Sequence, residues 1–233
     1  MYLQYYLLHS ELEGIPLALI ILLKIIIIIY YKYNKSYHKF IFKEEKMSNN
    51  KSIELRGVRF EDHYAYKKPS MVLKMPWCNF TCNEECGYVV CDAYDLMDVP
   101  LIHPVVENLI YNYCNNPITQ AIVFSGLEPF YRTIDYLEDY VVYMPSSIDS
   151  FSEMMNFIKI LREDYKCNDD VVIYTGYTEE ECVQLGFIDK LKKYSTNNNI
   201  IIKFGRYIHD KPKCVDPVLG VILSSDNQYA KAI

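Results

Sequence analysis

Met71–Tyr94 reads MVLKMPWCNFTCNEECGYVVCDAY. The apolar run Met71–Met75 has the length and composition of a buried strand, and Pro76 stops it. Four cysteines follow at once: Cys78, Cys82, Cys86 and Cys91 fall within fourteen residues. α/β folds carry their ligands at the carboxyl ends of the strands, which is where these thiols begin. Separated by three, three and four residues, thiolates on one loop can converge on a single metal centre. Zinc sites usually bring two short cysteine knuckles from well apart, whereas one compact loop suits an iron–sulfur cluster better. A surface loop of free thiols is the plain alternative, since cysteine is most often a small hydrophobe. The remaining four of the eight cysteines, Cys114, Cys167, Cys182 and Cys214, stand singly in a chain of 233 residues. That spread is unlike the disulfide framework of a short secreted domain and points to a reducing compartment.

Outward from this stretch, further short apolar runs recur at Ala121–Phe124, Val171–Tyr174, Ile200–Phe204 and Val218–Leu223. Helical or polar segments separate them. Ser152–Arg162 sets Met154, Met155, Ile158 and Leu161 at helical spacing, with Ser152 or Asp149 available as its cap. Thr178 and Glu181 stand three apart, as a capping box requires at the start of a helix. Strands alternating with helices predict a parallel α/β sheet.

The ends of the later runs carry their own signals. Ser125-Gly126-Leu127-Glu128-Pro129 follows the second run: a glycine lets a ligand approach backbone, strand-end carbonyls accept from an ammonium, and Glu128 supplies charge. Tyr174-Thr175-Gly176-Tyr177 ends the third. Gly205-Arg206-Tyr207 ends the fourth, and Ser224-Ser225-Asp226-Asn227-Gln228 lies near the end of the chain. Taken singly, each could be an ordinary turn or cap.

Taken in order, they resemble the radical S-adenosylmethionine family, and within it the activating enzymes of anaerobic ribonucleotide reductases. Cys78-x3-Cys82 looks like the start of that family's C-x3-C-x2-C signature, and Ser125–Pro129 is similar to its Gly-Gly-Glu-Pro segment. Tyr174–Tyr177 and the two later segments resemble motifs of the activase branch. The spacing departs from the signature after Cys82, because Cys86 lies three residues on and Cys91 eight. A branch with an insertion at that point resembles this arrangement, which makes Cys78, Cys82 and Cys91 the implied ligands of a [4Fe–4S] cluster and Cys86 the rival third. The resemblance further implies that Ser125, Gly126, Leu127, Glu128 and Tyr177 bind S-adenosylmethionine. It implies an open partial barrel of about five or six mainly parallel strands, smaller than the full eight-stranded barrel. The implied activity is reductive cleavage of S-adenosylmethionine to place a glycyl radical on the large reductase subunit. An electron donor such as flavodoxin or ferredoxin would serve it, and no acid–base pair beyond the cluster is called for. A radical enzyme acting on another substrate and a non-enzymatic electron carrier are the alternatives.

Two segments stand outside this pattern. Residues 1–46 hold an apolar run, Ile15–Tyr31, of 17 residues interrupted by Lys24, at the lower limit for a membrane span. Untranslated upstream sequence, with synthesis beginning at Met47, is the favoured reading and a membrane anchor the second. Tyr131–Ser147 interrupts the resemblance and reads as an insertion, long for a βα loop. The net charge of −6 and pI near 5.4 argue against a nucleic-acid partner, and MSNNKS from Met47 reads as an ordinary polar cytoplasmic start. The five histidines show no ligand spacing and read as ordinary surface or satisfied residues.

Overall fold

In the computed structural model of the chain, the described residues are 51–132 and 149–233. They begin with an edge strand, β1 (Gly57–Asp62), which turns back antiparallel onto β2 (Ser70–Lys74). The cysteine loop follows, with a short helix α1 (Thr81–Cys86) and a 3-10 turn at Tyr94–Asp98. Helix α2 (Val106–Asn115) then leads to β3 (Ala121–Ser125), and α3 (Ser150–Glu163) leads to β4 (Asp170–Tyr174). Two short helices, α4 (Glu179–Gln184) and α5 (Phe187–Lys192), precede β5 (Ile200–Phe204). Last come a ribbon of β6 (Cys214–Asp216) with β7 (Val221–Leu223), and the closing strand β8 (Tyr229–Ala232).

The sheet order is β1-β2-β3-β4-β5-β8. β2 to β5 are mutually parallel and the two edges antiparallel, so the sheet is mostly parallel and open. Helical crossovers are what parallel neighbours require, because a tight turn cannot reverse the chain twice. The four parallel strands are the first four apolar runs of the sequence. Val218–Leu223, expected as a fifth, is corrected: only Val221–Leu223 is strand, and it pairs antiparallel with β6 outside the main sheet. The cause is Asp216. Its buried carboxylate accepts from Val218 N at 2.9 Å and Leu219 N at 2.7 Å, which bends residues 216–220 into a turn. Its other oxygen accepts from Ala230 N at 2.8 Å, so the same side chain anchors β8.

Alternation along the strands divides the core. Met71, Leu73, Ile122, Phe124, Val171, Ile173, Ile200 and Ile202 face the helices, where Ile110, Phe157, Leu161 and Phe187 are fully or almost fully buried against them. Phe124 and Phe157 meet edge to face at 5.4 Å. α3 starts two residues before the expected Ser152, and Asp149 is its cap, accepting from Ser152 N at 2.9 Å. The capping box of Thr178 and Glu181 is present at the head of α4. On the opposite face Val72, Val123, Val172 and Ile201 stand side by side under Tyr66, Leu219 and Leu223. One step further toward the carboxyl ends, that face changes from apolar to polar: Lys74, Ser125, Tyr174 and Lys203 form the next row.

His63, His103 and His209 lie exposed, as ordinary surface residues would. No helix among the described residues is long and apolar enough to cross a membrane. The apolar run at 15–31 and all of the 131–147 insertion beyond Arg132 lie outside the described residues. Asp216→Ala is expected to lower unfolding stability by about 3 kcal/mol, because it strands three backbone donors in or beside the core. A urea midpoint equal to that of the parent chain would show that Asp216 does not hold the turn and β8 together.

Candidate functional site

At the carboxyl edge of the parallel strands a cavity of about 210 Å3 opens. The loops after β2, β3, β4 and β5 all contribute to its wall, in the order the strands are laid down. Cys78, Cys82 and Cys91 line it; Cys86, at the last turn of α1, does not. Ser125, Gly126, Leu127, Glu128 and Tyr177 line it as well, so the residues singled out in the sequence as binding or ligating meet in one place.

Local geometry explains how the cysteine loop presents three thiols of four. Phe80 sits in the left-handed region at φ 55°, a conformation costly for a bulky residue, and its amide lies 3.3 Å from Cys78 Sγ. The turn so formed starts α1, whose first turn carries Cys82 into the cavity. Gly87 ends α1 in the left-handed conformation, and the chain then folds back along the helix. Asn83 Oδ1 fastens this return by accepting from Val90 N at 3.0 Å and Cys91 N at 3.1 Å. Cys91 therefore lies beside Cys82 despite eight intervening residues. The neighbouring Cys82 thiol draws Cys91 down to about 6, and Cys91 in turn pushes Cys82 upward. Burial, with the nearby Glu128 charge, pushes the Cys78 thiol up to about 12.

Glu128 is the centre of the opposite wall. Its side chain is buried, and its carboxylate accepts from Phe130 N at 2.9 Å, Thr175 Oγ1 at 2.7 Å and Gly176 N at 2.8 Å. The Thr175 hydroxyl accepts in turn from Tyr177 N at 3.0 Å. Burial pushes the Glu128 carboxyl up, while these donors and the Lys203 ammonium oppose the shift. Three of roughly four acceptor positions are thus filled by the chain itself. The carboxylate braces the end of β3 against the end of β4 and contributes charge to the cavity from within that brace. Gly126, at φ 85°, holds a conformation that strains any other residue, and a Cβ there would sit tightly at 3.0 Å from Leu96 Cδ1 and 3.3 Å from Lys74 Cβ.

Lys203 and Arg206 went unmarked as site residues in the sequence. Lys203 sits in the last positions of an otherwise apolar strand, which is the one signal that could have found it. Its Nζ donates to Gly205 O at 2.7 Å and lies 3.4 Å from Thr175 O, leaving one N–H beside the cavity. Burial pulls the ammonium down to about 8, while Glu128 and Cys82 resist that shift. Arg206 forms a fork with Glu181, at 3.1 and 2.8 Å, and pairs with Glu85 of α1 at 3.4 Å. It therefore ties the cysteine loop to the β5 loop and to the head of α4. The tail segment supports that arrangement: Asn227 Nδ2 donates to Arg206 O at 2.8 Å and Gln228 Nε2 to Gly205 O at 3.2 Å. A second cavity, of about 420 Å3, shares Ser125, Tyr174, Lys203 and Gln228 with the first and extends over the polar row toward Arg59 and Asp62.

Comparison of the chain with protein-family models, curated proteins and solved structures finds no match. The donor chemistry is what remains to judge the fit of a metal group. Among the described residues no group of three or more His, Cys, Asp or Glu side chains is arranged as around one metal ion. A four-iron cluster gives each cysteine an iron of its own and does not ask for that convergence. Three soft thiols lining one cavity suit such a group.

Glu128→Ala is expected to lower stability by about 3 kcal/mol, since it leaves buried donors at Phe130 and Gly176 without partners. Amide exchange should quicken at those two positions first. Unchanged exchange there would mean that the carboxylate does not brace the two strand ends.

Proposed function

We propose that this chain is a radical S-adenosylmethionine enzyme of the activating type, carrying a [4Fe–4S] cluster on Cys78, Cys82 and Cys91. The observation that carries the reading is the meeting of those three thiols with the strand-end loops at 125–128, 174–177 and 205–207 on one cavity. An electron carrier needs the cysteines alone; the loops around them have the makings of a cosubstrate site. The chemistry that such a cluster supplies when bound is one-electron reductive cleavage of S-adenosylmethionine.

The chain's own share is to bind, orient and exclude water. Backbone carbonyls at the ends of β3 and β4 suit the cosubstrate's ammonium, and the remaining N–H of Lys203 suits its carboxylate. Leu127 and Tyr177, both buried, offer an apolar and an aromatic wall to a purine. The Thr175–Glu128 hydrogen bond keeps these parts at fixed spacing as a ligand enters. The second cavity lets a substrate segment approach the first from the inner face of the sheet. By the resemblance noted in the sequence, that substrate is the large subunit of an anaerobic ribonucleotide reductase. A flavodoxin or ferredoxin would supply the electron.

Anaerobic reconstitution tests the ligand set. Cys78→Ala, Cys82→Ala and Cys91→Ala should each abolish the brown absorption of the cluster, and Cys86→Ala should keep most of it. Loss with Cys86→Ala and retention with Cys91→Ala would reassign the third ligand. The activity is tested by adding reductant, S-adenosylmethionine and the reductase subunit without oxygen. The expected products are 5′-deoxyadenosine, methionine and a glycyl-radical doublet by EPR. Cleavage without the doublet would remove the proposed partner, and a loaded, reduced cluster that cleaves nothing would return the chain to electron carriage.

A further inference from the structure

Lys74 ends β2 and lines the second cavity but not the first. The residue is half-buried, and among the described residues its ammonium makes neither an ion pair nor a hydrogen bond. Two glycines leave room for its stem. Gly57, its direct neighbour on β1, would place a Cβ 3.7 Å from Lys74 Cδ. Gly126, just past β3, would place one 3.3 Å from Lys74 Cβ.

The other charges of this cavity are already matched. Asp62 is the one carboxylate among its lining residues, and its oxygens accept from Tyr64 N at 2.9 Å, Ala65 N at 2.7 Å and Arg59 Nη1 at 2.5 Å. Lys203 has Glu128 as its counter-charge, and two of its three N–H donors reach Thr175 O and Gly205 O. The Tyr174 hydroxyl donates to Ala65 O at 2.6 Å, and Gln228 is hydrogen-bonded at both ends of its amide. What stays open is a set of donors: the Lys74 ammonium, the hydroxyls of Ser125 and Ser224, and the third N–H of Lys203. Lys74 and Ser125 stand side by side in register on adjacent strands.

A half-buried ammonium without a counter-charge is costly, and a bound anion relieves that cost while filling the open donors. The cavity, of about 420 Å3, is of ligand size. Val72, Val221 and Leu223 add apolar lining to it. We propose that Lys74 and Ser125 form an oxyanion subsite in the second cavity, which takes the carboxylate or phosphate of a ligand whose apolar part lies against Val72, Val221 and Leu223. Lys74 lines the second cavity alone, so the oxyanion belongs to the molecule that enters there and not to S-adenosylmethionine. The subsite stands whether or not the radical chemistry proposed above does.

Calorimetric titration of the full chain with inorganic phosphate and with hexanoate tests the subsite without reductant or cosubstrate. It is run near neutral pH at constant ionic strength, so that general screening cancels. Saturable binding at one site is expected for at least one of the two probes. Phosphate alone would name a phosphate ligand, hexanoate alone a carboxylate, and both a site that reads charge. Lys74→Met keeps the stem and should weaken that binding by about ten-fold or more, whereas Lys74→Arg should largely keep it. The parent chain supplies a second reading that needs no variant. With the probe bound, Lys74 should lose most of its labelling by sulfosuccinimidyl acetate, while exposed Lys193 is labelled as before. No binding of either probe, binding that Lys74→Met leaves unchanged, or Lys74 labelling that neither probe alters would overturn the proposal.

Discussion

The buried carboxylate of Glu128 is the contact on which the site depends. Parallel strands end at slightly different heights, and the loops that leave them have no ladder to keep them in step. Glu128 supplies that step between β3 and β4 through three donors from three residues. The arrangement needs a charge in the interior, which is costly unless donors and a counter-charge surround it. Lys203 provides the counter-charge from β5, and two of its three N–H donors reach the carbonyls of Thr175 and Gly205. Three consecutive strands are thereby joined at one height by side chains after their backbone pairing has ended.

The cysteine loop is attached to this frame by means of a different kind. Asn83 closes the loop on itself with two hydrogen bonds, and Arg206 joins its helix to Glu181 through a more exposed ion pair with Glu85. Such a pair is weak in water and screened by salt. The loop is also held at its two ends, where Arg56 donates to Pro76 O and Val99 O and Glu128 N to Trp77 O. A loop of that character can adjust to a bulky inorganic group, while the wall opposite keeps its form.

Much of this was legible in the sequence, and the reasons differ from part to part. The four apolar runs became β2 to β5 because a strand covered on both faces must be apolar throughout, and Ser152–Arg162 announced its helix by spacing. The edges were not legible. β1 reads GVRFED and β8 YAKA, and a strand with one open side carries too few apolar residues to stand out. Val218–Leu223 misled because its composition is that of a strand, and the Asp216 carboxylate, capping Val218 N and Leu219 N, turns its first half instead. At the site, the choice of Cys91 over Cys86 came from resemblance and spacing. What brings Cys91 to the cavity wall is the reach of the Asn83 amide, which no spacing rule contains. Lys203 was hidden by its neighbours: inside IIIKF a lysine reads as an interruption of a strand, when it is the polar end of one.

The order of the strands has a bearing on how the molecule comes into being. Among the described residues β8 follows the other strands, yet it pairs with β5, and Asn227 and Gln228 just before it hold the Gly205–Arg206 turn. During synthesis the first strands can pair in sequence as they emerge, each with the one made just before it. The wall at 205–206 can be completed only when Asn227 and Gln228 have left the ribosome. Anything that enters the cavity in its final shape must therefore meet a chain in which β8 has already paired with β5.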